Sequence, residues 1–281
     1  MQATIAELWI YPIKGCQGLR LTQAQALGTG LQNDRIFMLV QPSTGQMLSQ
    51  RTHPRMALIA PRVEAGASGG VLHVQLDGMA DAAFAMQAAH VSKTVTVWRS
   101  TLPALDMGDA AAQWFSTALG VAVRLVRFDP AQQRLTRRAA LGQPESAHHF
   151  ADGYPYLVVS QASVDALNER LLEAGSAPIR ADRFRANIVL GGVEPHTEDY
   201  AASLHHASGA ALHIVSPCVR CTVPTVNQQT GMPCPDHQPT LAMGNYRYNK
   251  EEDGLVFGMN ASLSGGAVLR QGDALKVELA F

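Results

Sequence analysis

Charge is scarce in this 281-residue chain: Asp, Glu, Lys and Arg together make up 16% of it, against roughly 25% in an average domain. The 22 basic and 23 acidic side chains leave a formal net charge of -1, which supplies no basic face for nucleic acid or an anionic membrane surface. A run of 18 consecutive apolar residues is also lacking, so no membrane-spanning helix is expected. The stretch from Met1 to Gly15 has no basic region followed by an apolar core and a small-residue cleavage site, and it reads as an opening strand instead of a secretory signal. The G-x-x-x-x-G-K-[ST], H-E-x-x-H and G-x-S-x-G motifs are all missing. Gly28-Thr29-Gly30 begins like a dinucleotide fingerprint, but without the third glycine or a following helix it reads as a turn before a strand at Ile36. No nicotinamide or flavin site follows. Cysteine is sparse too: of Cys16, Cys218, Cys221 and Cys234, the last three fall close together, which suggests metal or redox chemistry in a reducing, cytoplasmic setting more than a disulfide framework.

What is present is an apolar fraction of 47%, enough for a globular chain with two ordinary domains. β-Formers cluster in short runs: Ile5–Tyr11, Ile36–Val40, Val71–Leu76, Thr94–Trp98, Val121–Phe128, Tyr156–Ser160, Ala186–Leu190, Leu212–Val215 and Ala274–Phe281. In the last, Leu275, Val277, Leu279 and Phe281 alternate with Lys276 and Glu278. Two helices are expected. One runs from Asp109 to Leu119, with Asp109 capping its start and Gly120 its end. The other runs from Ala162 to Ala174 after Ser160, with Val164, Leu167, Leu171 and Leu172 as its core stripe and Asp165, Asn168, Glu169 and Arg170 facing water. The fold class is therefore mainly β with a few helices, in barrel-like or sandwich-like domains. The polar stretch Asp129–Asp152 lies near the domain boundary, and the division is set at 1–122 and 123–281.

The segment Ser216-Pro-Cys-Val-Arg-Cys-Thr through Gly231 concentrates the chemistry. Arg220 lies between Cys218 and Cys221, and a cation beside a thiol favours the thiolate that ligates metals. With Cys234 and His237 the spacing reads C-x2-C-x12-C-x2-H, the pattern of a structural zinc site. The competing bland reading is of buried, idle thiols in a turn.

Motifs spread along the whole chain bear on that choice. They are Leu8-Trp9-Ile10-Tyr11-Pro12-Ile13-Lys14-Gly15, Asn33-Asp34-Arg35, Tyr156-Leu157-Val158-Val159-Ser160, Phe184-Arg185-Ala186-Asn187-Ile188-Val189, Arg220-Cys221-Thr222 with Thr230-Gly231, and Phe257-Gly258-Met259-Asn260. In this order they resemble the MOSC proteins, most closely the amidoxime-reducing components and their bacterial relatives. The resemblance implies an N-terminal β-barrel domain and a C-terminal MOSC β-barrel, with molybdopterin between them. Carried over by position, it implies Cys221 as the molybdenum ligand. It implies Lys14, Gly15, Arg35, Gly153, Tyr154, Arg185, Asn187, Val219, Arg220 and Asn260 as cofactor contacts, with Gly15, Gly153 and Val219 contributing main chain only. The types suit the group: Arg binds phosphate bidentately, Lys places a point charge, and Asn offers the pterin edge both donor and acceptor. Asp152, beside Gly153, is a candidate to orient substrate or a proton-carrying water. Gly15, Tyr154 and Asn260 differ in type from the residues of the amidoxime-reducing enzymes, and Cys234-Pro-Asp-His237 has no counterpart there.

The function implied is a molybdenum-cofactor-dependent oxidoreductase that reduces N-hydroxylated compounds: amidoximes, hydroxylamines and N-hydroxylated bases. Two readings compete with it, a carrier that holds molybdenum cofactor without turnover and a zinc-stapled binding module at Cys218, Cys221, Cys234 and His237. Electrons are expected from a separate protein (a ferredoxin, a small haem protein or a flavin reductase), since no ferredoxin-type C-x4-C-x2-C run occurs and the chain stops at Phe281, after its last strand. No nucleic-acid or membrane partner is expected.

Overall fold

The structure, a computed structural model, describes residues 1–281 apart from 67–68, 89–90, 137 and 281. Seven strands close into a barrel. Around it they run Tyr156–Ser160, Ile188–Gly191, Gln2–Ile10, Ala274–Leu279, Ala201–His206, Ala211–Val219 and Gly254–Ser264. The last of these pairs back onto the first, with Tyr156 opposite Ala261 and Val158 opposite Met259. Alternation divides several of these strands, Tyr156–Ser160 among them, between two cores. Ile5, Leu8, Tyr156, Val158, Leu190, Leu212 and Leu275 fill one. Leu157, Val159 and Val189 lie in another with Val164, Leu167 and Leu171 of the helix α2, Gln161–Glu173. Strand Tyr156–Ser160 is thus buried at every position, because both of its faces are covered.

A second unit has a four-stranded sheet ordered Phe37–Val40, Arg124–Phe128, Ser100–Asp106, Val91–Val97 and a three-stranded sheet of Ala60–Glu64, Val71–Gln75 and Ala82–Ala85. Phe37, Leu39 and Leu125 of the first sheet share a core with Leu72 and Val74 of the second. Phe115 of the α-helix Asp109–Leu119 joins the same core. A small third sheet joins Ala267–Arg270, Gln23–Leu27 and Gly30–Leu31. The units interleave: Gln2–Ile10, at the start of the chain, belongs to the barrel, and Arg124–Phe128 pairs with Phe37–Val40 in the second unit's sheet. A division at 122/123 therefore falls just ahead of a strand that pairs with N-terminal neighbours.

Several local expectations change. Gly108, not Asp109, caps the first helix; Asp106 accepts the Gly108 N–H at 2.8 Å and so stands in for the missing side-chain cap. Leu172 is 60% exposed and leaves the apolar stripe of α2. Asn168 does not face bulk water; its amide brackets Ile179, accepting from that N–H at 2.8 Å and donating to that carbonyl at 2.9 Å. Ser160 caps α2 as expected, accepting from Ser163 N–H at 3.1 Å. The final strand ends at Leu279, and Phe281 lies outside the described residues.

Gly258 marks where the barrel closes. Its φ is +77°, and an added Cβ would lie 2.5 Å from Val159 Cγ2 and 2.7 Å from the Val158 carbonyl oxygen. Backbone cannot give way as a flexible side chain would. Gly258→Ala is expected to cost about 2–4 kcal/mol through strain and overpacking, read as a lowered urea midpoint with unchanged slope.

Candidate active site

Two chain crossings build the floor of one pocket. After the first strand, Tyr11–Gly15 runs beside Asp34–Phe37: Arg35 N–H donates to Tyr11 O at 2.9 Å, Phe37 N–H to Pro12 O at 3.0 Å and Lys14 N–H to Phe37 O at 2.8 Å. Asp34 Oδ1 accepts the Tyr11 N–H at 2.8 Å. On the barrel side, Asn187 N–H donates to Leu157 O and Trp9 N–H to Asn187 O, each at 2.9 Å. These bonds present Lys14, Arg35 and Arg185 toward a common space of about 820 Å3, counting its open mouth.

Arg35 and Arg185 both hold left-handed backbone, with φ of +48° and +58°. Such conformations cost on the order of 1–3 kcal/mol each outside glycine and collect at functional sites. Both guanidinium groups lie over the buried Tyr11 ring, at 4.5 and 4.1 Å from its centroid. They differ in compensation. Arg35 pairs with Asp34 at 2.5 Å, donates to Asn187 Oδ1 at 3.1 Å and to Arg185 O at 2.9 Å. Among the described residues Arg185 has no carboxylate partner: it donates to Cys16 O at 2.9 Å, and its buried Nη2 has no partner there. Burial works against the Arg185 charge, and neighbouring Arg35 adds to the effect.

Arg220 completes the cationic wall. It donates to Phe184 O and to Cys218 Sγ, both at 2.9 Å, while its Nε is buried and has no partner among the described residues. The cation thus meets Cys218 and not Cys221, which lines the same pocket half-buried. Burial still holds the Cys218 thiol above its ordinary pKa, with Arg220 pulling the other way.

Asp152 faces Lys14 across the pocket. Lys14 is buried and donates to Phe150 O at 2.8 Å as well as pairing with Asp152. Trp98 Nε1 donates to the same carboxylate at 2.7 Å. Withdrawal from bulk water disfavours the Asp152 charge, but Lys14, the Trp98 N–H and Arg35 outweigh it and hold the carboxyl well below the usual carboxylate range. Its side chain remains 71% accessible from within the pocket, so it stands there as a fixed anion. Burial lowers the Lys14 pKa, and Asp152 opposes that shift.

Gly15, Gly153, Tyr154, Asn187 and Asn260 also line the pocket. Gly15 is required by its φ of +83° and by Met56 Cε, 2.7 Å from where a Cβ would stand. Nothing crowds Gly153. The Asn187 side chain is consumed by structure, donating to Trp9 O at 3.2 Å and accepting from Leu157 N–H at 3.2 Å and from Arg35. It therefore aims Arg35 more than it reaches a ligand. Asn260 donates to Pro217 O at 3.2 Å. Val219 is the exception among the expected residues: it is 46% exposed, sits outside the lining and pairs with Val256 on the neighbouring strand.

Three contributors escaped the sequence reading. Trp98 is at the tip of the hairpin formed by Val91–Val97 and Ser100–Asp106, with φ of +55°; a bulky residue in a two-residue turn that favours Asn or Gly was the available signal. Arg51 stacks on the Trp98 ring at 4.2 Å. Arg134 staples the Asp152 loop through carbonyls, donating to His149 O at 3.0 Å, Ala151 O at 2.5 Å and Asp152 O at 3.1 Å.

The four-ligand zinc arrangement does not form. Cys218 and Cys221 line this pocket, whereas Cys234 lines a different one and donates to Asp236 at 2.7 Å. Among the described residues no group of three or more His, Cys, Asp or Glu side chains is placed to hold a metal. No described helix is long and apolar enough to cross a membrane.

A closed barrel, an interleaved β-unit and a cationic pocket with a thiol at its edge define a class, and sequence comparison agrees with it. The MOSC N-terminal beta barrel domain matches residues 2–122 and the MOSC domain residues 145–276; the chain belongs to the MOSC proteins that carry both. It is 30% identical over 284 residues to mitochondrial amidoxime-reducing component 1 of Mus musculus, covering 96% of this chain and 81% of that protein. The human protein of the same name is 29% identical over 288 residues, covering 98% and 81%. The molybdenum cofactor sulfurase of Oryza sativa subsp. japonica is 27% identical over 264 residues, 89% of this chain and 31% of that protein. Among solved structures, the YUAD protein from Bacillus subtilis aligns with a TM-score of 0.46 and 16% identity, over 100% of this chain and 98% of its own.

Proposed function

We propose that the chain is a molybdenum-cofactor-dependent reductase of N-hydroxylated compounds, with Cys221 as the protein ligand. One observation carries this reading: Lys14, Arg35, Arg185 and Arg220 converge with Cys221 on one pocket in which buried Arg185 Nη2 and Arg220 Nε have no partner among the described residues. Buried donors without acceptors are costly and rare. An anionic, hydrogen-bond-rich group such as molybdopterin supplies what they lack, so the residues present fit it. The relatives named for amidoxime reduction and for the molybdenum cofactor support the same assignment.

When bound, the cofactor supplies the two-electron redox chemistry that breaks an N–O bond. The chain's own residues place and charge the site. Arg185 and Arg220 offer open N–H groups to phosphate or pterin, and Arg35 is aimed by Asp34 and Asn187. Asp152 is held ionised, so it accepts hydrogen bonds from a substrate's N–H groups and does not itself donate a proton. Lys14, whose pKa is lowered, is the donor nearest to it. The direct test is reduction of benzamidoxime with chemically reduced viologen, alongside molybdenum and pterin analysis. Metal-loaded protein without turnover would favour the carrier reading.

Electrons are proposed to come from a separate redox protein. NADH alone is expected to give no turnover, while NADH with a reductase and a small carrier protein restores it. Steady reduction with NADH alone would overturn this.

The Lys14–Asp152 pair predicts a pH effect. Lys14 has a folded pKa below that of the unfolded chain, so the penalty of burying its charge is fully present below the folded pKa. That penalty is relieved as pH rises toward the unfolded value near 10.4. Asp152→Asn removes the group that holds the Lys14 pKa up. The alkaline limb of turnover is expected to move to lower pH by roughly one unit, and an unmoved limb would remove Lys14 from the titrating step.

A further inference from the structure

A second cavity, of about 1050 Å3 counting its open mouth, lies between the 175–179 turn that follows α2 and the 227–238 segment. Arg183 forms part of its wall. That side chain is only 7% exposed, yet among the described residues it makes one side-chain hydrogen bond, from Nε to Pro224 O at 2.7 Å, and no ion pair. Its terminal nitrogens are left to the cavity. Neither neighbouring acid pairs with it among the described residues, and Asp182 does not line the cavity. Asp182 faces Arg180, with Oδ2 3.7 Å from its Nε. The Asp236 carboxylate at the rim accepts from Ser176 Oγ at 2.9 Å and Cys234 Sγ at 2.7 Å. The lining also includes apolar Ile179 and Met232.

We propose that this cavity binds a small organic carboxylate, with its anionic head on the Arg183 fork and its apolar body along Ile179 and Met232. A buried guanidinium held only at Nε presents two parallel N–H donors, the geometry that a carboxylate matches bidentately. The charge fits a monoanion. Among the described residues a single cation lines the cavity, with Asp236 beside it, so a phosphate dianion would meet repulsion that a carboxylate meets half as strongly. The site is separate from the Cys221 pocket and stands whether or not that pocket holds a cofactor.

Cys234 lines the cavity and serves as the reporter. The full-length protein is alkylated with iodoacetate or with neutral iodoacetamide, and modification of Cys234 is followed by peptide mass spectrometry, with Cys218 and Cys221 as internal references. The iodoacetate-to-iodoacetamide rate ratio at Cys234 is expected to fall about fivefold or more in Arg183→Gln, with no change at the reference cysteines. In the wild type, phenylacetate should protect Cys234 saturably and phenylacetamide should not. This arm needs no variant and stands if Arg183→Gln fails to fold. Protection by inorganic phosphate equal to or stronger than that by phenylacetate would overturn the carboxylate assignment. An unchanged ratio in a folded Arg183→Gln, or no protection by phenylacetate, would overturn the site.

Discussion

Cys221→Ser is expected to lower benzamidoxime reduction by more than about 100-fold, because changing groups that merely support a metal ligand already costs 10- to 100-fold. The fold should survive. Cys221 is half-buried at a pocket edge and holds none of the four buried clusters together. Pterin should be partly retained through Arg185 and Arg220. Cys218→Ser makes the informative comparison. Cys218 shares the pocket and accepts from Arg220 at 2.9 Å, and a serine hydroxyl accepts from the same guanidinium, so the loss should stay within a few-fold. Molybdenum, pterin and turnover are measured for both. Equal, severe loss in the two variants would assign the chemistry to the cysteine pair and not to Cys221.

The second large effect separates two arginines that look equivalent in the sequence. Arg35→Ala strips the partner from Asp34, whose side chain is 3% exposed. Breaking such a buried pair costs about 3–5 kcal/mol, so this variant should unfold at markedly lower urea concentration even without cofactor. Arg185→Ala removes a buried cation that has no carboxylate partner, so the cofactor-free protein should lose little stability. Its cofactor retention should instead fall by about 10- to 150-fold, the equivalent of about 1.5–3 kcal/mol for hydrogen bonds to a charged group. Chemical denaturation of the cofactor-free protein and pterin release from the loaded protein read the two quantities apart. Full pterin occupancy in Arg185→Ala would sink the assignment of that side chain to the cofactor.

What the sequence made legible follows from how each feature is encoded. Strands rich in Val, Ile and Leu, such as Tyr156–Ser160, announce themselves because burial on both faces demands apolar residues throughout. Gln23–Leu27 and Ala201–His206 do not, being built from Gln, Ala, Ser and His whose pairing is fixed by distant strands. The longest strand, Gly254–Ser264, hides behind Gly254 and Gly258, which weaken a β pattern read locally although closure of the barrel requires the second of them. The site residues were legible through separated motifs, since Lys14, Arg35, Arg185 and Arg220 each sit in a recognisable stretch. Their neighbours were not. Trp98 and Arg134 reach the Asp152 loop only through tertiary structure, and no spacing rule links position 98 or 134 to position 152. Which cysteine Arg220 would meet was equally hidden, being decided by backbone direction at the end of strand Ala211–Val219.

The pairing of Gln2–Ile10 with Ala274–Leu279 has a consequence for synthesis. Gln2 pairs with Lys276 and Ala3 with Leu275. Tyr11–Lys14 meets Asp34–Phe37 soon after both are made, but Leu8 waits for Ile188, and the start of its strand waits for Ala274–Leu279. The floor that carries Lys14 and Arg185 is therefore seated on a closed barrel only after those late strands have been made. Any prosthetic group held there has to enter once they are in place, not while they are still being synthesised.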